Sequence, residues 1–150
     1  MEDEMPDDHS TPGRDLAAYL TRYPHEIAFG DEDPAEVFDR YHTPDFVLHN
    51  DGVPLDRTML LAHVRPARKR ATGVHTEIHQ ALVAGDRVAA RYTLTAVLAR
   101  GGVVATEIYL FGELAADGRL RRGDQQTRLV PVPRDQADGA AASTAAPPGR

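Results

Sequence analysis

VHTEIHQALVAGDRVAARYTLTAVLARGGVVATEIYLFGELAADGRLRRGDQQTRLV (74–130) decides the fold, because its apolar residues recur at every second position. That period puts successive side chains on opposite faces of a strand. The turns Gly85-Asp86, Gly101-Gly102 and Asp117-Gly118 cut the stretch into four runs: Val74–Val83, Arg87–Ala99, Val103–Leu114 and Leu120–Val130. Turns this short join neighbouring strands antiparallel, so the spacing predicts a four-stranded, hairpin-connected meander.

The period before this stretch is helical. Leu16, Ala17, Tyr19, Leu20 and Tyr23 share one face of a first helix that Pro24 should interrupt. Pro34 suits the first turn of a second helix ending at Tyr41, before Thr43-Pro44. Phe46–His49 reads as a short strand closed by the turn residues Asn50, Asp51 and Gly52. Asp56 is an N-cap for a third helix with the stripe Leu60, Val64, Ala67 and Ala71, broken near Arg65 by Pro66. Helices followed by an antiparallel meander predict an α+β domain over residues 14–133, with the helices packed on one face of the sheet. Residues 1–13 are acidic and residues 134–150 are rich in Ala and Pro; both are expected to be disordered, for want of apolar residues to bury.

Composition excludes several classes of function. The chain has 150 residues and no cysteine, which removes disulfides, thiolate nucleophiles and Cys-based zinc sites. Residues 14–133 carry a net charge of only −1, too little positive field for nucleic acid. The basic cluster Arg65, Arg68, Lys69 and Arg70 spreads around its helix and reads as a solvated helix end. No apolar run is long enough for a membrane span, and the acidic start lacks the layout of a secretory signal, so a cytoplasmic location is expected.

TPDFVLHNDG (43–52), ALVAGDRVAARYTLTA (81–96) and DGRLRRGDQQTR (117–128) fall in an order that resembles the nuclear transport factor 2-like superfamily. Within it, the chain most resembles the SnoaL-like polyketide cyclase and ketosteroid isomerase branch, over roughly residues 15–130. The resemblance implies a cone-shaped curved sheet wrapped round the N-terminal helices, a deep apolar pocket for a hydrophobic small molecule, and no cofactor. It also implies a homodimer through the sheet, here through the face bearing Arg91, Thr93 and Thr95. In such cyclases the acid/base aspartate lies on the last strand, seven residues after the hairpin glycine. Counting from Gly118 gives Gln125, with Asp124 one residue earlier. Either a bulge turns Asp124 inward or the acid/base group is absent, because a one-residue shift changes the face.

Removing a proton next to a carbonyl needs a carboxylate or His of raised pKa and a donor where enolate charge develops. The candidate bases are Asp124, His49 and Glu107; the candidate ligand contacts are Asn50, Tyr92, Tyr109 and Gln125. Tyr92 lies on the more apolar face of its strand and should line the pocket, whereas Glu107 reads by default as an exposed cross-strand partner. His75, Glu77 and His79 have chelating spacing on one strand face. Val74, Thr76 and Ile78 look like the buried set opposite, so no metal is expected there. The reading is a cofactor-independent acid/base enzyme acting on a polyketide-like or polycyclic substrate. The alternative is a non-catalytic ligand-binding or dimeric interaction domain on the same fold.

Overall fold

The computed structural model describes residues 10–132. The elements are α1 (Leu16–Phe29), α2 (Pro34–Tyr41), β1 (His42–Asn50), β2 (Val53–Asp56), α3 (Arg57–Ala62) and α4 (Val64–Arg70). They are followed by β3 (Ala71–Ala84), β4 (Arg87–Leu98), β5 (Val103–Leu114) and β6 (Leu120–Val130). One curved, unclosed sheet runs in the order β2-β1-β6-β5-β4-β3. The meander is antiparallel throughout, while β1 joins β6 in parallel and forms a hairpin with β2. That hairpin turns on Asp51 and Gly52, both at positive φ, the backbone that such two-residue turns require.

The core lies between the sheet's inner face and α1 and α2. Leu16, Tyr19 and Leu20 of α1 and Val37, Phe38 and Tyr41 of α2 pack against Val88, Ala90, Tyr92, Ile108, Leu110 and Leu114. Gly112 permits a close approach in the core: a Cβ there would lie 2.8 Å from Leu120 and 2.9 Å from Val88. The α+β architecture and all four meander strands are as the sequence predicts.

Several boundaries differ, each for a physical reason. Helix α1 passes through Pro24 to Phe29, because Tyr23 and Ile27 continue its apolar stripe beyond the proline and pack on the core. The single break in the third helical segment falls at His63, whose imidazole Nδ1 lies 2.6 Å from the Met59 carbonyl. Arg68 is more than a solvated cation, since its guanidinium donates to the Ile27 carbonyl at 2.9 Å and ties α4 to the end of α1. Strand β1 begins at His42 directly after α2, four residues before the predicted start, and β2 is an addition.

Ordered packing also begins before residue 14. Pro12 is buried, and Gly13 donates its N–H to the Gly118 carbonyl at 2.9 Å. Residues 10–13 therefore dock on the β5–β6 turn. The rest of the predicted disordered N-terminus and the 134–150 tail lie outside the described residues.

Candidate functional site

The inner face of the sheet and the helices line a partly open cavity of about 220 Å³. Its walls are apolar: Leu20, Phe38, Phe46, Leu48, Leu60, Leu94, Ile108, Leu110 and Leu120. Five polar side chains interrupt them, namely Tyr19 and Tyr23 from α1, His42 from β1, Tyr92 from β4 and Gln125 from β6. Tyr19 and Tyr23 are four residues apart and so share the helix face turned to the sheet. Tyr92 is inward because its neighbours on that row, Val88, Ala90 and Leu94, are the apolar set of β4.

The last strand settles which of its two polar rows looks inward. A register shift between Glu113 and Leu114 leaves Arg121 unpaired at the start of β6. Beyond it Gly123, Gln125 and Thr127 pair with Gly112, Leu110 and Ile108 on the inner face. Leu48 packs closely over Gly123, where a Cβ would lie 3.1 Å from its side chain and in ordinary contact with Phe46 at 3.6 Å. Gln125 thus takes the inward position at which the cyclase resemblance puts an aspartate. Its Nε2 donates to Asn50 Oδ1 at 2.9 Å across the β1–β6 ladder. That bond orients the amide and leaves Gln125 Oε1 free to accept.

Asp124 lies on the outer face, opposite Phe111, with its side chain half exposed. Of the two alternatives, the inward rotation of Asp124 does not occur, because the bulge sits before Arg122 and both rows are in register from there on. Arg122 holds the Asp124 carboxylate at 3.2 Å. His49, registered with Asp124, shares this outer face and places Nδ1 3.6 Å from Asp124 Oδ1. Glu107 is also outward, but it is not the exposed partner expected: Arg91 and Arg128 cover it, leaving it 7% exposed. Burial alone would raise its pKa, but hydrogen bonds from Arg128 (2.7 Å) and Arg91 (3.1 Å) outweigh that effect and hold it below the ordinary carboxylate value. Tyr109 stands on the same face, 41% exposed. Of the nominated residues, the structure puts Tyr92 and Gln125 in the cavity wall and ties Asn50 to it only through its bond to Gln125, while Asp124, His49, Glu107 and Tyr109 lie outside.

His75 and Glu77 are exposed, and His79 turns to Thr93, with Nε2 2.8 Å from Thr93 Oγ1 at the β3 bulge. Among the described residues no group of three His, Cys, Asp or Glu side chains could hold a metal ion. No described helix is long and apolar enough to cross a membrane.

The polar heart of the cavity is a pair that the sequence reading passed over. Tyr19 Oη lies 2.7 Å from His42 Nε2, and His42 Nδ1 lies 2.9 Å from the Phe38 carbonyl. Burial pushes the His42 imidazole down to about 4, against small opposing effects from the Phe38 carbonyl and Asp39. It is therefore neutral at pH 7. Burial likewise raises the Tyr19, Tyr23 and Tyr92 phenols, which stay protonated. The signal for Tyr19 and Tyr23 was two hydroxyl-bearing rings in an otherwise aliphatic helical stripe. Nothing local marks His42, whose partner is 23 residues away.

A curved sheet packed over N-terminal helices around an apolar cavity defines the nuclear transport factor 2-like class. Within that class the chain belongs to the SnoaL-like domain family, whose profile matches residues 20–123. Among solved structures it is similar to wild-type IdmH of Streptomyces antibioticus, a candidate polyketide cyclase: TM-score 0.59, 16% identity, 77% of this chain and 91% of that one. A candidate SnoaL-like polyketide cyclase of Jannaschia sp. CCS1 is similar over 98% of this chain and all of its own, at 17% identity and TM-score 0.58. An LEH-like epoxide hydrolase of M. tuberculosis shares 20% identity over 77% of this chain and 81% of its own, TM-score 0.57. At such identities the likeness speaks for the fold alone, and this fold carries several chemistries. No curated protein matches significantly.

Proposed function

We propose that this protein is a small-molecule enzyme that performs cofactor-independent acid/base chemistry on an oxygenated, polyketide-like substrate held in the inner cavity. The observation that carries the reading is an apolar cavity interrupted only by neutral hydrogen-bonding groups. Tyr23 and Tyr92 make no hydrogen bond to another described residue, so both hydroxyls are available to a ligand oxygen. A ligand carbonyl oxygen held beside Tyr92 would meet a phenolic donor that polarises it. The volume suits a body of one or two rings, since a cavity of ~150 Å³ admits benzene and drug-sized sites begin near ~300 Å³.

A second reading, a non-catalytic ligand-binding domain, is favoured by one observation: no carboxylate is among the described residues that line the cavity. One assay separates the two. One- and two-ring β-diketones and hydroxyaryl ketones are incubated with the protein, and products are followed by absorbance and chromatography. Turnover that falls about 100-fold in Tyr92→Phe and is unchanged in Asp124→Asn supports the enzyme. Binding without turnover supports the second reading. Turnover lost in Asp124→Asn but kept in Tyr92→Phe contradicts both.

The dimer expected from the resemblance also becomes specific. Thr93 and Thr95 are already buried within one chain, so they offer little surface to a partner. Leu82, Ala89 and Phe111 are registered side by side on the outer face of β3, β4 and β5. Leu82 and Phe111 are 66% and 65% exposed, and exposed apolar patches commonly mark interfaces. This patch, with Arg91 and Tyr109 beside it, is the proposed homodimer face.

A further inference from the structure

We infer that the Tyr19–His42 pair fixes a hydrogen-bond acceptor at the wall of the cavity, so that the substrate must present a hydroxyl, phenolic or enolic, to the Tyr19 oxygen. The inference rests on the small-molecule reading above and adds the polarity of the ligand.

The argument is one of donors and acceptors. The Phe38 carbonyl can only accept, so His42 Nδ1, 2.9 Å away, must carry a proton. A buried neutral imidazole has one N–H, so Nε2 is then bare and accepts. Tyr19, 2.7 Å from Nε2, must therefore spend its only hydrogen on His42. What its oxygen has left is lone pairs. The same chain of bonds explains why a fully buried histidine is tolerated, since both ring nitrogens are satisfied.

The rings around the pair hold this direction in place. His42 is stacked on Phe38 with ring centroids 4.3 Å apart, and Phe46 stands 4.7 Å away. The Tyr19 ring packs against Tyr23 at 5.6 Å and Tyr41 at 5.3 Å. The nearest charged groups, Asp39 and Arg119, address His42 from the outside: the Arg119 guanidinium donates to the carbonyls of Asp39 and His42, not to the imidazole. Nothing on those elements supplies a proton that would reverse the pair at neutral pH.

The cavity thus has a pattern: an acceptor at Tyr19, donors at Tyr23 and Tyr92, and a second acceptor at Gln125 Oε1. A ligand with only ethers or ketones would leave the Tyr19 oxygen unpaired in a desolvated site, which is costly. A hydroxyaryl or enolised ketone satisfies both kinds of group.

The test compares 2-naphthol, which can donate, with 2-methoxynaphthalene, which cannot, by calorimetric titration of wild type and Tyr19→Phe. Wild type should bind 2-naphthol about tenfold tighter than the ether, and Tyr19→Phe should bring that ratio to about one while keeping affinity for the ether. Equal affinities in wild type overturn the inference and leave the cavity reading intact. Binding of neither compound overturns the cavity reading and the inference with it. Nitrogen NMR of the His42 ring in the wild-type protein gives an independent check. Protonated Nδ1 and bare Nε2 support the pair, and the opposite tautomer overturns it.

Discussion

The two faces of the sheet are made by the same strands, one residue out of phase, and they have opposite chemistry. The inner face is neutral: Tyr92, Ile108, Leu110 and Gln125 turn towards α1, His42 and Tyr19. The outer face is charged, with Arg91 and Arg128 clamped on Glu107, Arg122 on Asp124, and an apolar patch at Leu82 and Phe111 beside them. All three side chains that residue type alone nominates as bases stand outside. What this teaches is that strand parity, not residue type, decides which side chains reach the cavity.

The largest expected effect that could break this comparison is on stability. Leu110 is 4% exposed and its neighbour Phe111 is 65% exposed. Leu110→Ala should cost ~2–5 kcal/mol, and Phe111→Ala under ~1 kcal/mol, in chemical denaturation at low protein concentration. Equal costs would mean that the strand's parity is misread.

Next comes pH. The His42 imidazole sits at about 4 in the folded chain against an ordinary 6.5. An unfolded chain takes up a proton below 6.5 that the folded chain refuses. Stability from this group is therefore complete above that value and falls as pH drops towards 4, by up to about 3 kcal/mol. The outer-face Glu107 has a lowered pKa and contributes its loss only at lower pH. Denaturation curves from pH 7 to 4.5 should slope in wild type and flatten in His42→Phe. A slope that survives the substitution would place its origin elsewhere.

A smaller effect concerns assembly. Phe111→Glu puts a charge in the exposed patch without touching the cavity. It should turn the proposed dimer into a monomer by light scattering while leaving 2-naphthol affinity within about twofold. Loss of both would tie the outer face to the cavity.

The architecture was legible because period-two alternation and glycine turns are local signals, and β3 to β6 carry them cleanly. The parity of β6 was not. Arg122, Asp124, Gln126 and Arg128 alternate with Gly123, Gln125 and Thr127, so neither row is marked apolar. The inner row was chosen by a bulge at Arg121 and by Phe46 and Leu48 packing over Gly123, contacts made by a distant strand. The run of α1 through Pro24 is likewise a tertiary outcome, set by where Tyr23 and Ile27 pack. The Tyr19–His42 pair was hidden because one member sits in a helical stripe and the other follows a helix end, and only the fold brings them together.

Gln125 and Gln126 give the most direct test of the central claim that the working face is the inner one. They are adjacent, chemically identical, and turned to opposite faces of the sheet. In a nitrogen–proton correlation spectrum titrated with 2-naphthol, the Gln125 side-chain amide should shift and that of Gln126 should hardly move. Movement of Gln126 with Gln125 unchanged would contradict the account.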